Sequence, residues 1–295
     1  MNAERYRFNV GNFECIVVSD GTFAYPYPAK DVFINFFVNA PKERLKRVLA
    51  EHNLDADLWE HYVSPYPTLM INTGQHRVLV DTGAGGFAPT TGKLIPNLHA
   101  EGISPGDIDT VILTHGHPDH IGGNIDGKGR PAFPNARYVM WKDEWDFWTS
   151  EPDLSALKID EHGKEVLVEA AHKHLLPIQD QLELIDHETE IVPGVKAVAA
   201  PGHTPGHMAV AVASGSEQLL YISDTVLHPI HLEQPGWYSA VAIAPEEVVT
   251  TRRRILNRAA AEKALVLASH FPFPGLGHVV QKGEGFQWKP IETKG

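Results

Sequence analysis

The 295-residue sequence has little cysteine, little positive charge and no long hydrophobic run. Its single cysteine, Cys15, excludes an intramolecular disulfide and every zinc module built on several thiolates, which favours a reducing compartment. The net charge of −12 repels phosphate backbones, so we expect no nucleic-acid partner. No apolar run reaches the ~18 residues of a membrane span, and the first residues contain no signal-peptide stretch. We therefore expect a cytoplasmic protein with no membrane partner.

The composition, 43% apolar and 21% charged, is that of a globular protein. Strand-like runs and segments of helical periodicity follow one another irregularly, which favours an α/β sandwich with mixed sheets over a doubly wound parallel sheet. The pattern predicts a long helix at 245–261 and a last strand at 264–269. Without a Gly- or Ser-rich linker or a repeat, we expect one domain over 1–295, with insertions near 22–61 and 142–177.

Histidine is present in excess, with 17 residues. Segment 114–123, THGHPDHIGG, follows an apolar strand and contains four metal-type side chains: His115, His117, Asp119 and His120. His115 and His117 project to the same side if the chain is extended, and Gly116 and Pro118 are expected to exclude a regular helix. Imidazole and carboxylate suit zinc, manganese, iron or cobalt, and four donors exceed the needs of one open site. The segment therefore indicates two ions.

Three later side chains stand where other predicted strands end. His203 lies in the turn-rich segment PGHTPGH and is the expected third ligand. Asp224 offers two oxygens that can bridge two ions, and His270 ends the last predicted strand. His207 cannot form a helical pair with His203, because a proline and a glycine intervene; we interpret it as a structural residue or as a support for the ligands.

In order and spacing, these segments over 68–270 resemble the metallo-β-lactamase superfamily, whose pattern of His-X-His-X-Asp-His, a distal His, a bridging Asp and a final His is matched. The resemblance implies the αββα four-layer sandwich with mixed β-sheets. It implies two divalent ions, with Zn²⁺ expected first and Mn²⁺, Fe²⁺ or Co²⁺ as alternatives. The implied ligands are His115, His117 and His203 for one ion, Asp119, His120 and His270 for the other, and Asp224 for both. Asp81, in Asp81-Thr82-Gly83, matches a residue that supports the metal loop, although an ordinary turn aspartate explains it equally well.

Segments 19–22, 81–85 and 270–278 resemble a subgroup that contains N-acyl homoserine lactone lactonases and methyl parathion hydrolase. This implies hydrolysis of a lactone or carboxylic ester by a hydroxide held between two ions, with Asp224 and Asp119 as the catalytic carboxylates and Asp119 as a proton shuttle. Several lactonases place a substrate-contacting tyrosine three residues after the bridging aspartate, where this chain has Leu227. Aryl esters and phosphotriesters therefore stay open beside lactones. An iron-dependent oxidoreductase of the same superfamily is the alternative of another class.

The expected substrate is a small, uncharged and partly apolar molecule. Leu227, Phe271 and Phe273 are the predicted pocket residues. The aromatic residues at positions 23–37 are assigned to the core or to a dimer interface, and a homodimer is a further expectation. Two histidines that follow Asp224, His228 and His231, are predicted to lie at the surface.

Overall fold

Two seven-stranded β-sheets form the centre of the computed structural model, which describes residues 4–54 and 61–293, without the side chains of 27–30 and 61. Residues 55–60 of the expected insertion at 22–61 therefore lie outside the described residues. No helix in the described part of the chain is long and apolar enough to cross a membrane.

The first sheet is antiparallel at one side and parallel at the other. Its strands lie in sequence order: Arg5–Val10 (β1), Phe13–Pro28 (β2), His61–Asn72 (β3), Arg77–Val80 (β4), Thr110–Ile112 (β5), Arg137–Trp141 (β6) and Leu182–Ile185 (β7). Strands β1 to β4 pair antiparallel, which short turns allow, whereas β4 to β7 pair parallel and need longer connections.

The second sheet holds the remaining strands: Glu190–Val192 (β8), Val195–Ala199 (β9), Met208–Ser214 (β10), Glu217–Tyr221 (β11), Leu265–Leu267 (β12), Leu276–Lys282 (β13) and Gly285–Pro290 (β14). Only β11 and β12 are paired parallel among them. The prediction that the strand at 264–269 is the last one is wrong, because β13 and β14 follow it. The alternation of a half-buried strand is interrupted in β13, because the apolar Val280 is exposed and Gln281 and Lys282 after it are exposed as well.

The helices lie mainly on the outer faces of the sheets. They are Ala29–Phe36 (α1), Lys42–Glu51 (α2), Leu94–Ala100 (α3), Pro118–Ile121 (α4), Lys142–Thr149 (α5), Glu161–Leu175 (α6), Ile230–Glu233 (α7) and Pro245–Glu262 (α8). Helix α8 agrees with its prediction: Pro245 occupies its first turn and Lys263 ends it in the left-handed conformation.

Alternating side chains along the strands build the layers. In β4, Val78 and Val80 face the core between the sheets, while Leu79 faces an outer core that includes residues of α3 and α6. In β12, Leu267 faces the core between the sheets and Val266 packs with α8. The result is the predicted α/β sandwich of four layers with two mixed sheets.

The topology gathers several strand ends at one place. Strand β10 is antiparallel to both β9 and β11, and β12 is parallel to β11, so β9, β11 and β12 run in the same direction. Their carboxyl ends share one edge of the second sheet. The segment after β5 of the first sheet joins them, since the N–H of Met208 donates to the carbonyl of Thr114 at 3.0 Å.

Candidate metal centre

Seven side chains form two adjacent groups at this edge. The first group is His115, His117, His203 and Asp224, and the second is Asp119, His120 and His270. Within each group the potential ligand atoms all lie within 4.8 Å of one another. The structure thus brings together every residue that the sequence predicted as a metal ligand, although they come from four separate segments.

The carboxylate of Asp224 lies between the two groups. Its Oδ2 is 3.3 Å from Nε2 of His203 and 3.8 Å from Nε2 of His115. Its Oδ1 is 3.1 Å from Nε2 of His120 and 3.2 Å from Nε2 of His270. Oδ2 also lies 3.3 Å from Nε2 of His270. The carboxylate is therefore within reach of donors of both groups, as a carboxylate shared by two ions must be.

The donor atoms fit divalent cations because several of them have no other partner. Nε2 of His115, His117 and His120 and Oδ1 of Asp224 are buried without a hydrogen-bond partner among the described residues. Buried polar atoms normally find partners, since leaving one without costs about 1–3 kcal/mol. Four such atoms converging on one place, all imidazole nitrogen or carboxylate oxygen, are the donor set of a site for zinc or a similar ion.

The electrostatics of the site favour the metal-binding protonation states. Burial lowers the pKa of His115 and His117 well below its usual range, so both imidazoles stay neutral as ligands must be. Burial opposes ionisation of Asp224, but the charges of His270 and His120 hold the pKa of its carboxyl well below the ordinary value. Burial also lowers the pKa of His120, yet neighbouring carboxylates, above all Asp224, outweigh this and raise it. A concentrated negative charge therefore attracts protons or cations here.

The local chain path explains how the segment after β5 aims its side chains. A Cβ at position 116 would lie 2.4 Å from Cδ1 of Trp148, so only glycine fits between the two ligands of this loop. The expectation that Pro118 excludes a helix is wrong: α4 begins at Pro118, and proline is accommodated in a first helical turn. Because α4 turns the chain after His117, Asp119 and His120 face the second group.

Asp81 supports the site from the end of β4. Its Oδ2 accepts hydrogen bonds from Nδ1 of His120 at 2.8 Å, from the hydroxyl of Thr114 at 2.9 Å and from the hydroxyl of Tyr221 at 2.9 Å, and its Oδ1 accepts from the N–H of Thr114 at 2.8 Å. The bond to Nδ1 directs Nε2 of His120 into the centre, as a supporting carboxylate does. Asp81 therefore stands where the resemblance placed it.

His207 fixes the backbone at Asp224. Its Nδ1 donates to the carbonyl of Ala200 at 2.8 Å, and its Nε2 accepts from the N–H of Asp224 at 3.1 Å. Both bonds need the neutral ring, and burial lowers its pKa to about 3. His207 thus lies behind the ligands, where it holds the turn that presents Asp224.

A cavity of about 220 Å³ opens over the metal centre. Five predicted ligands reach it, and its other walls are largely aromatic and aliphatic: Phe23, Tyr25, Val32, Asn35, Phe36, Ser64, Tyr66, Phe87, Pro118, Ile159, Leu167, Leu227, Ser239, Ala240 and Val241. No lysine or arginine of the described residues contributes to this lining. An uncharged, partly apolar molecule fits such walls best.

Residues 62–270 match the metallo-beta-lactamase superfamily. The chain belongs to this superfamily. Its relative in Bacillus thuringiensis subsp. kurstaki, N-acyl homoserine lactonase AiiA, is 26% identical over 224 residues, which are 68% of this chain and 79% of that protein. The structure of AidC, a dizinc quorum-quenching lactonase in complex with the product N-hexanoyl-L-homoserine, has a TM-score of 0.90 at 29% identity and covers 100% of this chain and 99% of its own. The structure of hydrolase AbOPH covers both chains fully, with a TM-score of 0.87 and 27% identity.

Membership in the metallo-β-lactamase superfamily and the similarity to dizinc lactonases make this chain a hydrolytic enzyme with a site for two divalent metal ions. They agree with the predicted family and fold. The matched range 62–270 contains all seven side chains of the two groups.

The predicted pocket residues are only partly in place. Leu227 lines the cavity, but Phe271 and Phe273 do not. The chain turns after His270, so Phe271 points away from the site into the outer core, where its ring lies 4.9 Å from that of Trp288. Phe273 packs against the core between the sheets.

The aromatic segment at 23–37 serves both as core and as pocket wall. Phe33 and Phe37 are buried in a cluster with α2, as expected for core residues, whereas Phe23 and Tyr25 line the cavity and Phe36 does both. The side chain of Tyr27 lies outside the described residues.

The prediction that His228 and His231 lie at the surface is wrong. Both are buried against this aromatic cluster. Nε2 of His231 donates to the carbonyl of Phe36 at 3.1 Å, and Nδ1 of His228 accepts from the N–H of Ile230 at 3.2 Å. Both rings lie outside the two metal groups.

Glu144 on α5 is the supporting residue that the sequence did not reveal. Its side chain is fully buried; Oε1 accepts from the N–H of Gly116 and the indole N–H of Trp148, both at 2.7 Å, and Oε2 accepts from the N–H of Gly206 at 2.9 Å. It therefore ties the loop of His115 and His117 to the loop of His203. The glycines beside the ligands were the one available indication, because a Cβ at position 206 would lie 2.3 Å from the backbone nitrogen of Glu144.

Proposed function

We propose that this enzyme hydrolyses lactones or carboxylic esters, with acyl lactones as the preferred class, and that it uses two Zn²⁺ ions. One observation carries the proposal: a carboxylate shared by two histidine groups lies at the floor of an apolar cavity. The product-bound structure of AidC supports the lactone class, since AidC resembles this chain over its full length. Mn²⁺, Fe²⁺ and Co²⁺ suit the same donors and remain alternatives to zinc.

Each ion is assigned its own ligands. His115, His117 and His203 would hold one ion, Asp119, His120 and His270 would hold the other, and Asp224 would be shared between them. When bound, two such ions lower the pKa of a shared water and polarise the oxygen of a substrate carbonyl.

Asp119 is suited to carry a proton during the reaction. Its side chain is 21% exposed and lines the cavity, whereas the side chain of Asp224 is 4% exposed. Its Oδ2 lies 3.6 Å from Nε2 of His270. In this role Asp119 accepts the proton that the attacking water releases and delivers it to the alkoxide leaving group as the carbon–oxygen bond breaks.

The walls of the cavity select the substrate. Phe23, Phe36 and Phe87 offer aromatic faces, and Leu227 adds an aliphatic one above the bridging carboxylate. A lysine or arginine that could bind an anionic group is missing from the described lining. The acyl chain of an uncharged lactone can lie against these walls while its carbonyl faces the metal centre.

A substrate panel tests this proposal. Zinc-loaded protein is assayed with lactones of increasing acyl length, aryl esters and paraoxon, and we expect the highest kcat/KM for an acyl lactone. Faster turnover of paraoxon would make the enzyme a phosphotriesterase. A coloured, iron-loaded protein that hydrolyses none of the panel would indicate the oxidoreductase alternative.

Two matched histidine variants test the ligand assignment. His270→Ala should lose one of two bound ions together with activity. His278→Ala is the control, because this histidine lies on β13 and its Nδ1 donates to the carbonyl of Ala264 at 3.1 Å, outside both groups. Loss of metal in His278→Ala, with full metal content in His270→Ala, would show that the assignment is wrong.

A further inference from the structure

Tyr66 lies on β3 and contributes to the wall of the cavity beside the metal centre. Its ring meets the imidazole of His270 edge to face, with centroids 5.8 Å apart and planes at 83°. Only 6% of the residue is exposed. The aromatic ring therefore has a packing partner, whereas this contact does not involve its hydroxyl.

The hydroxyl of Tyr66 has no hydrogen-bond partner among the described residues, and it is not one of their fully buried polar atoms, so it is accessible from the cavity. Other buried tyrosines show the usual behaviour: the hydroxyl of Tyr221 donates to Asp81 at 2.9 Å, and that of Tyr138 is bonded to the backbone. The hydroxyl of Tyr66 instead faces the cavity, where water or a substrate can accept its hydrogen bond and no other protein group of the described residues competes for it.

The strand holds this side chain in a fixed direction. Ser64 and Tyr66 are two positions apart on β3, so both face the site, and the hydroxyl of Ser64 lies 3.1 Å from Nδ1 of His270. Each of them precedes a proline, Pro65 and Pro67, which confines its backbone to the extended region. A hydroxyl carried by such a stiff segment is preorganised.

The hydroxyl is able to donate, because an ordinary phenol is protonated near neutral pH. Tyr66 lines the same cavity as the predicted catalytic carboxylates Asp119 and Asp224. Leu227, which lines the same cavity, offers no polar atom in its side chain, so it supplies no competing donor.

We propose that Tyr66 is a further catalytic residue, whose hydroxyl donates a hydrogen bond to the carbonyl oxygen of the substrate as negative charge develops on it. The proposal rests on the hydrolase function proposed above. Water oxygen bonds to the carbonyl carbon, and the carbonyl electron pair moves onto its oxygen, which Tyr66 stabilises without giving up its proton. The carbon–oxygen bond of the leaving group then breaks, and the released alkoxide takes the proton lost by water. A donor aimed at a developing oxyanion commonly contributes a factor of about 10²–10³ to the rate.

Tyr66→Phe tests this role because it removes the hydroxyl and keeps the ring against His270. We expect kcat for an acyl lactone to fall roughly 100-fold, with a much smaller change in KM and with unchanged metal content. Binding of a phosphonate analogue of the tetrahedral intermediate, measured by calorimetry on the zinc-loaded protein, should weaken by a similar factor. Tyr62→Phe is the matched control on the same strand, because Tyr62 packs in the aromatic cluster behind the cavity and should retain wild-type values.

The outcomes separate this proposal from the proposed function. Lactone turnover by the wild-type protein tests the function, while the ratio between Tyr66→Phe and wild type tests the hydroxyl. Wild-type kcat and analogue affinity in Tyr66→Phe would overturn the proposal. Tyr66→Leu then identifies the alternative: if this variant alone loses metal, Tyr66 serves only to pack His270. If no lactone or ester is turned over, the calorimetric comparison still decides whether the hydroxyl binds the oxyanion mimic.

Discussion

Replacement of Glu144 by glutamine should loosen one metal group and leave the other in place. The variant has nearly the same shape, but its amide nitrogen must occupy the position of one carboxylate oxygen. If the nitrogen replaces Oε2, it faces the N–H of Gly206; if it replaces Oε1, it faces the two donors of Gly116 and Trp148. The first orientation loses fewer bonds, so the contact to Gly206 is the one that we expect to break.

The expected loss of stability follows from the hydrogen bond between Glu144 and the N–H of Gly206. A hydrogen bond to a charged group contributes about 1.5–3 kcal/mol, and the N–H of Gly206 is left buried without a partner. Burial raises the pKa of Glu144, which shows that its charge is itself costly in this place, and glutamine removes that cost. We therefore expect a net loss of about 2 kcal/mol in the free energy of unfolding, or a decrease in Tm of roughly 3 °C for a chain of this size.

The variant should lose affinity for one ion more than for the other. Gly206 belongs to the loop of His203, a predicted ligand of the first ion only, so affinity for that ion should fall about 10- to 100-fold while the second ion stays bound. Chelator competition followed by metal analysis measures both affinities, and Asp143→Asn on the same helix is the exposed control. Equal weakening of both ions, or wild-type affinity and Tm in Glu144→Gln, would refute the reasoning.

Two further perturbations concern buried groups. Asp81→Asn keeps an amide oxygen that can accept from Nδ1 of His120 but removes the negative charge that makes this imidazole a better ligand, so affinity for the ion assigned to His120 should fall about 10- to 100-fold in chelator competition; an unchanged affinity would mean that the charge of Asp81 does not support this ligand. Burial lowers the pKa of His228 to about 3, so below pH ~6.5 the unfolded chain binds a proton that the folded chain does not. Stability of the metal-free protein should therefore fall with decreasing pH, and His228→Gln should flatten the slope by up to about 1.4 kcal/mol per pH unit in urea titrations; parallel slopes would contradict this.

The sequence could indicate the candidate ligands because their residue types and their spacing are local features of the chain. His115, His117, Asp119 and His120 lie in one short segment after an apolar strand, and His203, Asp224 and His270 each follow a strand of their own. The fold needs only to align strand ends for these residues to meet, and the order of strands and helices already indicated such a sandwich. The local sequence pattern and the tertiary arrangement agree at this site, because the site is built from residues at the ends of strands.

The supporting residues could not be predicted in the same way. Glu144 lies in a helix rich in charged and aromatic residues, and nothing local separates it from Asp143, which is exposed. Its role depends on two glycine N–H groups that are 28 and 62 residues away. The prediction that Phe271 lines the pocket failed for a related reason. The direction of a side chain just beyond a strand depends on how the chain turns, and the alternation within the strand does not determine that turn.

Three buried carboxylates hold segments of the chain in place through hydrogen bonds. Asp20 accepts four backbone N–H groups of residues 84–94, Asp81 accepts from the loop that carries His120, and Glu144 joins two ligand loops. The contacts described for them involve backbone N–H groups, hydroxyls, an indole and an imidazole, and none involves a lysine or arginine. Asp81 and Glu144, together with Asp119 and Asp224, concentrate negative charge around the centre, and two divalent cations would neutralise much of it. Because the ligands meet only in the folded chain, each ion adds its binding free energy to stability, and folding and metal loading are linked.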